Sequence, residues 1–93
     1  MKNNLRSKAR GRQCEIRIPE VCNRDNDTVV LCHLPGAGMG GKRHDIHASL
    51  ACSSCHDAVD HRTPVKIPSD TLSLYFHEGV IRTQQVWLDE GFL

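Results

Sequence analysis

The sequence predicts a single small α+β domain, a β-hairpin with helices, and three observations lead to that class. The run Thr28-Val29-Val30-Leu31-Cys32-His33-Leu34 is apolar and β-branched, as a strand requires, and Pro35 ends it. Cys52-Ser53-Ser54-Cys55 brings two thiols into one tight turn at the start of a helical stretch. Leu72, Phe76, Val80, Thr83 and Trp87 recur at steps of three and four, the apolar stripe of an amphipathic helix.

The elements follow in order. Residues 1–12 carry five basic and no acidic side chains, whereas the remainder carries seven basic and eleven acidic, so the net charge of +1 hides a basic arm, read as flexible. Such an arm either grips a phosphate backbone by counterion release, through Arg6, Lys8, Arg10 and Arg12, or is simply a solvated tail. Residues 13–93 form the domain. A compact segment, 13–27, leads into the strand at 28–34. Next comes PGAGMGGKRHD, with four of the seven glycines in six positions, a loop whose Lys42 and Arg43 can touch phosphate. Ile46 to Ala51 reads as the second strand, and Ser53 or Ser54 to about Arg62 as a short helix closed by Pro64. The last helix spans 69–90, with Ser69 as N-cap and Gly91 as stop, and Gly79 is expected to bend or split it. The sequence shows no internal repeat and no second domain.

A chain of 93 residues buries only roughly 60 to 65% of its unfolded surface, and a hydrophobic share of 39% with four aromatics makes a thin core. A staple is expected. The five cysteines are an odd number, and the opening residues contain no apolar run of the secretory type, which indicates a reducing, cytoplasmic setting. No stretch approaches the roughly 18 apolar residues of a membrane span. In that setting paired cysteines read as metal ligands. Cys52 and Cys55, with Cys14 and Cys22 as the other half, make a closed structural zinc site, although the gap between Cys14 and Cys22 exceeds the usual spacing of about two to four.

Cys52-Ser53-Ser54-Cys55-His56 also matches the attachment signature of a c-type haem. The absent export signal and a chain whose four aromatics all fall in its last nineteen residues exclude that reading. A thioredoxin-like redox pair is excluded by the lack of a preceding βαβ pattern. Among the six histidines, His44 and His77 read as bystanders and His61 as lying off the ligand face. His56 and Asp60, one helical turn apart, can hold one divalent cation with open positions for phosphate oxygen and water. His33, across the hairpin, can then take a proton from that water.

Leu31-Cys32-His33-Leu34-Pro35, the glycine loop and His47-Ala48-Ser49-Leu50-Ala51-Cys52-Ser53-Ser54-Cys55-His56 resemble the ββα-metal motif of HNH endonucleases. The wider pattern, with RQCEIRIPEVCN, TVVLCHL, GMGGK and ACSSCHDAVDHR, is similar to small nucleases of lambdoid prophages, the YbcO type. The resemblance implies a catalytic motif over 28–62 in which His33 is the general base, His47 takes the place of the loop-supporting Asn, and His56 binds the metal. It implies hydrolysis of nucleic acid, DNA above all, in a bacterial host, to 5′-phosphate and 3′-hydroxyl ends. The implied cofactors are a structural Zn²⁺ and a catalytic Mg²⁺, Mn²⁺, Ni²⁺ or Zn²⁺.

The chain departs from the pattern at Cys32, where the family often has a metal-binding Asp or His, and at His47. Cys32 is read first as a small core residue and second as a thiolate ligand of a zinc-like ion. His47 either orients its neighbours or binds metal itself, with Asp45 as an alternative carboxylate. The rival function is a non-catalytic zinc module that binds DNA or a replication or recombination protein. A zinc-bearing toxin or enzyme regulator is a third. The Trp87 stripe is expected to pack in the core rather than to form a dimer interface.

Overall fold

The computed structural model describes residues 5–35 and 44–93. It is a small α+β structure: strand β1, Val30–His33, pairs antiparallel with β2, Ala48–Ala51, and two helices follow, α1 over Ser53–Val59 and α2 over Ser69–Asp89. The register sets Val30 opposite Ala51, Leu31 opposite Leu50, Cys32 opposite Ser49 and His33 opposite Ala48. Both strands are shorter than expected. Val29 ends a 3-10 turn, Asn26–Thr28, and residues Asp45–His47 form another such turn that delivers the chain into β2.

All of β2 is buried, because it is covered from several sides. The Leu50 amide donates to the Thr83 hydroxyl of α2 at 2.9 Å, while the Leu50 carbonyl accepts from the Glu15 amide at 2.8 Å. These two bonds satisfy the edge that β1 leaves open. The apolar stripe of α2 is as expected, with Leu72, Phe76, Val80, Thr83 and Trp87 all buried. Gly79 does not split the helix. It is buried where α2 crosses β2, and a Cβ there would stand 2.6 Å from Ser49 Oγ and 3.1 Å from Ile16 Cα.

Helix ends follow hydrogen-bond chemistry. Ser69 does not cap α2: Pro68 occupies that place with no side-chain bond, since its carbonyl already accepts the Leu72 amide at 3.0 Å. At the other end Gly91, at φ 83°, closes a Schellman motif in which the Phe92 amide bonds to Trp87 and the Gly91 amide to Leu88. The Phe92 and Trp87 rings then meet edge to face at 6.0 Å. A second Schellman motif ends α1 before the expected Arg62, with His61 taking the left-handed position at φ 59°.

Residues 5–12 correct the expectation of a free basic arm. Leu5 and Ala9 are almost wholly buried in the core, and the Gly11 amide donates to the Asn26 carbonyl at 3.0 Å. Arg12 grips Glu90 through two bonds of 2.5 and 2.6 Å and lies 4.9 Å over the Trp87 ring, while Lys8 sits 4.6 Å over Phe92. The charges are at the surface, but the apolar residues between them anchor the segment. Lys42 and Arg43 and their glycine loop lie outside the described residues. Among the described residues no helix is long and apolar enough to cross a membrane.

Candidate metal centres and the His33 pair

Among the described residues, potential metal ligands gather in two groups: Cys14, Cys22, Cys52 and Cys55, and Cys32, His56 and Asp60. Within each group the ligand atoms lie within 4.8 Å of one another.

The first group is built by two tight turns. Cys52 is the N-cap of α1, its sulfur accepting from the Cys55 amide at 3.4 Å, so the two-residue spacing places both sulfurs at the helix start. The Thr28 hydroxyl accepts the Ser53 amide at 3.1 Å, and Asn23 donates to the hydroxyls of Ser53 and Ser54. On the other side the chain from Cys14 to Arg24 turns sharply, with Arg17, Glu20 and Arg24 all at φ of 55° to 64°. The wide gap between Cys14 and Cys22 is taken up by this double turn, closed by bonds from the Val21 and Cys22 amides to the Ile18 carbonyl.

All five cysteines are free thiols. A tetrahedral Zn²⁺ with Zn–S of about 2.3 Å separates its sulfurs by roughly 3.8 Å, and Cys22 Sγ and Cys52 Sγ are 3.8 Å apart. The electrostatics also fit. Cys14 is held down to about 4, first by the hydrogen bond from Cys55 and then, against burial, by the amides of Arg17, Cys52 and Ile16. Burial pushes Cys22 up, opposed by the Arg24 amide. Backbone N–H groups aimed at sulfur are what a cluster of thiolates around a cation requires. The residues therefore fit a closed four-cysteine metal site.

The second group bears out Cys32 as a core residue and also brings its sulfur close to His56 and Asp60. Its side chain is buried, as that reading requires, but it projects from β1 to the face where His56 and Asp60 emerge from α1. His56 Nδ1 lies 3.3 Å from Asp60 Oδ2, the contact expected of residues one helical turn apart. Asp57, at 4.0 Å from the same nitrogen, and Arg62, at 3.8 Å from Asp60 Oδ2, flank the pair. Burial, with a contribution from the Asp60 charge, pushes the Cys32 thiol up to about 12. A free thiol there is neutral, and a cation is what would draw its proton off. One sulfur, one nitrogen and one oxygen donor on a half-exposed helix end form a site with coordination positions to spare, and the sulfur favours a zinc-like ion over magnesium.

His33, the next residue of β1, is not among these ligands. Its Nε2 is 2.8 Å from Asp45 Oδ1, and the same oxygen receives Arg6 Nη2 at 3.4 Å. Burial raises the Asp45 carboxyl, but the bonds from His33 and Arg6 outweigh it and hold the group below its usual range. Asp45 was legible only as an alternative metal carboxylate, and Arg6 only as a phosphate contact. His47 follows in the same 3-10 turn. Its carbonyl accepts the Leu34 amide at 2.9 Å and its ring lies 6.5 Å from that of His44, so it joins neither metal group. Gln84 of α2 pins this turn by donating to the Ile46 carbonyl at 2.6 Å. His61 and His77 are exposed and also stand apart from both groups. Of the arm residues, Arg6 and Arg10 are exposed, whereas Lys8 and Arg12 are turned onto Phe92, Trp87 and Glu90.

Comparison with known proteins places this arrangement in context. A family model described as "Putative nuclease YbcO" matches residues 3–92. The chain is similar to "Putative nuclease YbcO" of Escherichia coli (strain K12), with 43% identity over 93 residues, covering 97% of this chain and 96% of the relative. It is equally similar, at 43% identity and the same coverage, to "Putative nuclease ybcO" of Enterobacteria phage 82. Among solved structures it resembles that of a putative bacteriophage protein from Escherichia coli str. K-12 substr. MG1655. That match has a TM-score of 0.82 and 41% identity, covering 95% of this chain and 100% of the other.

Proposed function

The chain belongs to the YbcO family, and from that premise we propose that it is a metal-dependent endonuclease of the HNH, ββα-metal type. It hydrolyses phosphodiester bonds of nucleic acid, DNA above all, in the bacterial cytoplasm. The observation that carries this reading is the convergence of Cys32 from β1 with His56 and Asp60 from α1, beside the general-base candidate His33.

Cys32, His56 and Asp60 would hold a divalent ion. When bound, that ion supplies Lewis-acid polarisation of the scissile phosphate and stabilises charge on the leaving oxygen. His33 does the proton work. Its imidazole takes a proton from water as the water oxygen bonds to phosphorus; the bond from phosphorus to the 3′ oxygen breaks, and that oxygen leaves and is protonated from solvent. The ends are a 5′-phosphate and a 3′-hydroxyl. His47 has a supporting part, holding the end of the hairpin through its carbonyl bond to Leu34. Zinc on Cys14, Cys22, Cys52 and Cys55 takes no part in the chemistry and fixes the N-terminal turns to the start of α1. Backbone contacts to nucleic acid fall to Arg6 and Arg10, joined by Lys42 and Arg43.

The test is incubation of the zinc-loaded protein with supercoiled plasmid and added Mg²⁺, Mn²⁺, Ni²⁺ or Zn²⁺, with His33→Ala in parallel. Cleavage is expected with the ions that accept sulfur, poorest with Mg²⁺, and reduced about 100-fold or more in His33→Ala. Cleavage indifferent to that substitution overturns the mechanism. The four-cysteine site alone would equally serve a non-catalytic zinc module, and metal analysis separates the two. The nuclease holds a second, chelatable ion that His56→Ala removes, whereas the module holds zinc on the cysteines alone.

A further inference from the structure

We propose that Asp45, braced by Arg6, is the positioning residue of His33: it fixes the imidazole with Nε2–H toward the carboxylate and leaves the Nδ1 lone pair as the working base. The bearing of this on cleavage rests on the nuclease reading above.

The argument begins with donors and acceptors. An ionised carboxylate only accepts, so at 2.8 Å from Asp45 Oδ1 the His33 Nε2 must carry the hydrogen. In the neutral ring the remaining nitrogen, Nδ1, then holds the lone pair, and the ring plane is fixed by the same bond. Asp45 is itself held firmly. It opens the 3-10 turn Asp45–His47, whose N-cap His44 accepts the Ile46 amide at 3.2 Å and whose Ile46 carbonyl is pinned to α2 by Gln84. Since His33 pairs with Ala48, the turn just before β2 is obliged to lie beside the end of β1, which brings Asp45 within reach across a sequence gap of twelve.

Arg6 adds a second tie on the same oxygen, 3.4 Å away. It extends from the 3-10 turn Leu5–Lys8, which the buried Leu5 anchors, so this turn carries its guanidinium to the pair. The Asp45 and His33 side chains are 14% and 18% exposed, hence largely shielded from competing water, and Arg6 is the more exposed partner at 58%. A carboxylate that orients a base without touching substrate acts on the catalytic step and not on binding.

The experiment uses the full-length, zinc-loaded protein labelled with ¹⁵N, and reads the imidazole tautomers from long-range ¹H–¹⁵N correlations at about pH 8, on the alkaline side of the usual imidazole range. The His33 signals are identified by their loss in His33→Gln. The wild type is expected to show the Nε2–H tautomer at His33, Asp45→Ala a mixture, and Asp45→Glu a return toward the wild-type pattern. In plasmid cleavage Asp45→Ala should lower kcat by about 10- to 1000-fold with KM within about twofold, and Arg6→Ala should lower kcat more weakly while also raising KM, because Arg6 meets the phosphate backbone as well. Zinc content and circular dichroism serve as controls for folding; where Asp45→Ala fails them, Arg6→Ala carries the test, with a partial loss of the Nε2–H pattern expected. A wild-type His33 protonated at Nδ1, or a tautomer unchanged by both substitutions, overturns the proposal whatever the activity. If the tautomer shifts as expected in a protein that cleaves nothing, the positioning role stands and the nuclease reading falls.

Discussion

Gly79→Ala tests how closely α2 is seated on the hairpin that carries His33 and Cys32. The substitution has opposite effects. In an isolated helix alanine is favoured over glycine by about 1 kcal/mol. Here the new methyl would lie 2.6 Å from Ser49 Oγ, 3.0 Å from Ile16 Cγ1 and 3.1 Å from Ile16 Cα. The first contact can be relieved only by turning a fully buried hydroxyl away from its contact with Thr83 at 3.5 Å. The last is backbone and cannot rotate away. Overpacking of this kind costs typically 1 to 3 kcal/mol, and with all three contacts at 3.1 Å or less the upper part of that range, about 2 to 3 kcal/mol, applies, so after the gain in propensity a net loss of about 1 to 2 kcal/mol is expected. That corresponds to a fall in Tm of roughly 4 to 15 °C for a domain of this size. The assay is urea or thermal unfolding at fixed, saturating zinc, repeated in a Ser49→Ala background. There the nearest clash is gone, and the cost of Gly79→Ala should shrink by about 0.5 kcal/mol or more as a coupling between touching residues. A Gly79→Ala protein as stable as the wild type, or the same cost in both backgrounds, would refute the close approach of α2 to β2.

Three further outcomes follow from the same structure. Cys14→Ser should abolish cooperative unfolding at neutral pH, because structural zinc contributes about 10 kcal/mol or more to folding, comparable with the roughly 5 to 14 kcal/mol total of a domain this size; a folded, zinc-free variant by circular dichroism would count against it. Deleting residues 1–12 should destabilise the domain, since it removes Leu5, Ala9 and the Arg12 contacts to Trp87 and Glu90. A truncated chain with unchanged Tm would restore the free-arm reading. Asp45, with its folded pKa below the ordinary 3.8, contributes stability that is present above that value and lost as pH falls through the lower folded value. Acid unfolding of Asp45→Asn should therefore be less steep in that window, and identical acid limbs for variant and wild type would remove the assigned pairing.

What could be read in the sequence was set by local periodicity, and what could not was set by register. The helix stripe from Leu72 to Trp87 is local, and it emerged with its faces as predicted. Leu5 and Ala9 also stand at helical spacing, a signal masked by the five charges around them in residues 1–12. Cys32 and Asp45 depend on long-range geometry: each acquires its partner only because Cys32 stands opposite Ser49 and His33 opposite Ala48. A shift of one residue would turn both to the wrong faces. The two metal groups share α1. Cys52 and Cys55 occupy its N-cap and first turn, His56 follows directly, and Asp60 lies one turn on. A cation on the four cysteines would thus fix the start of a helix only seven residues long, too short to be stable alone. Two of the three residues of the second group, His56 and Asp60, stand further along it and at its C-terminal cap. A metal on the four cysteines would then act on the second group by setting the direction of α1, and Cys32, held by the β1 register, would meet His56 and Asp60 only while that direction is kept. Loss of the first metal should therefore cost the second as well, whereas loss of the second through His56→Ala should leave the first in place.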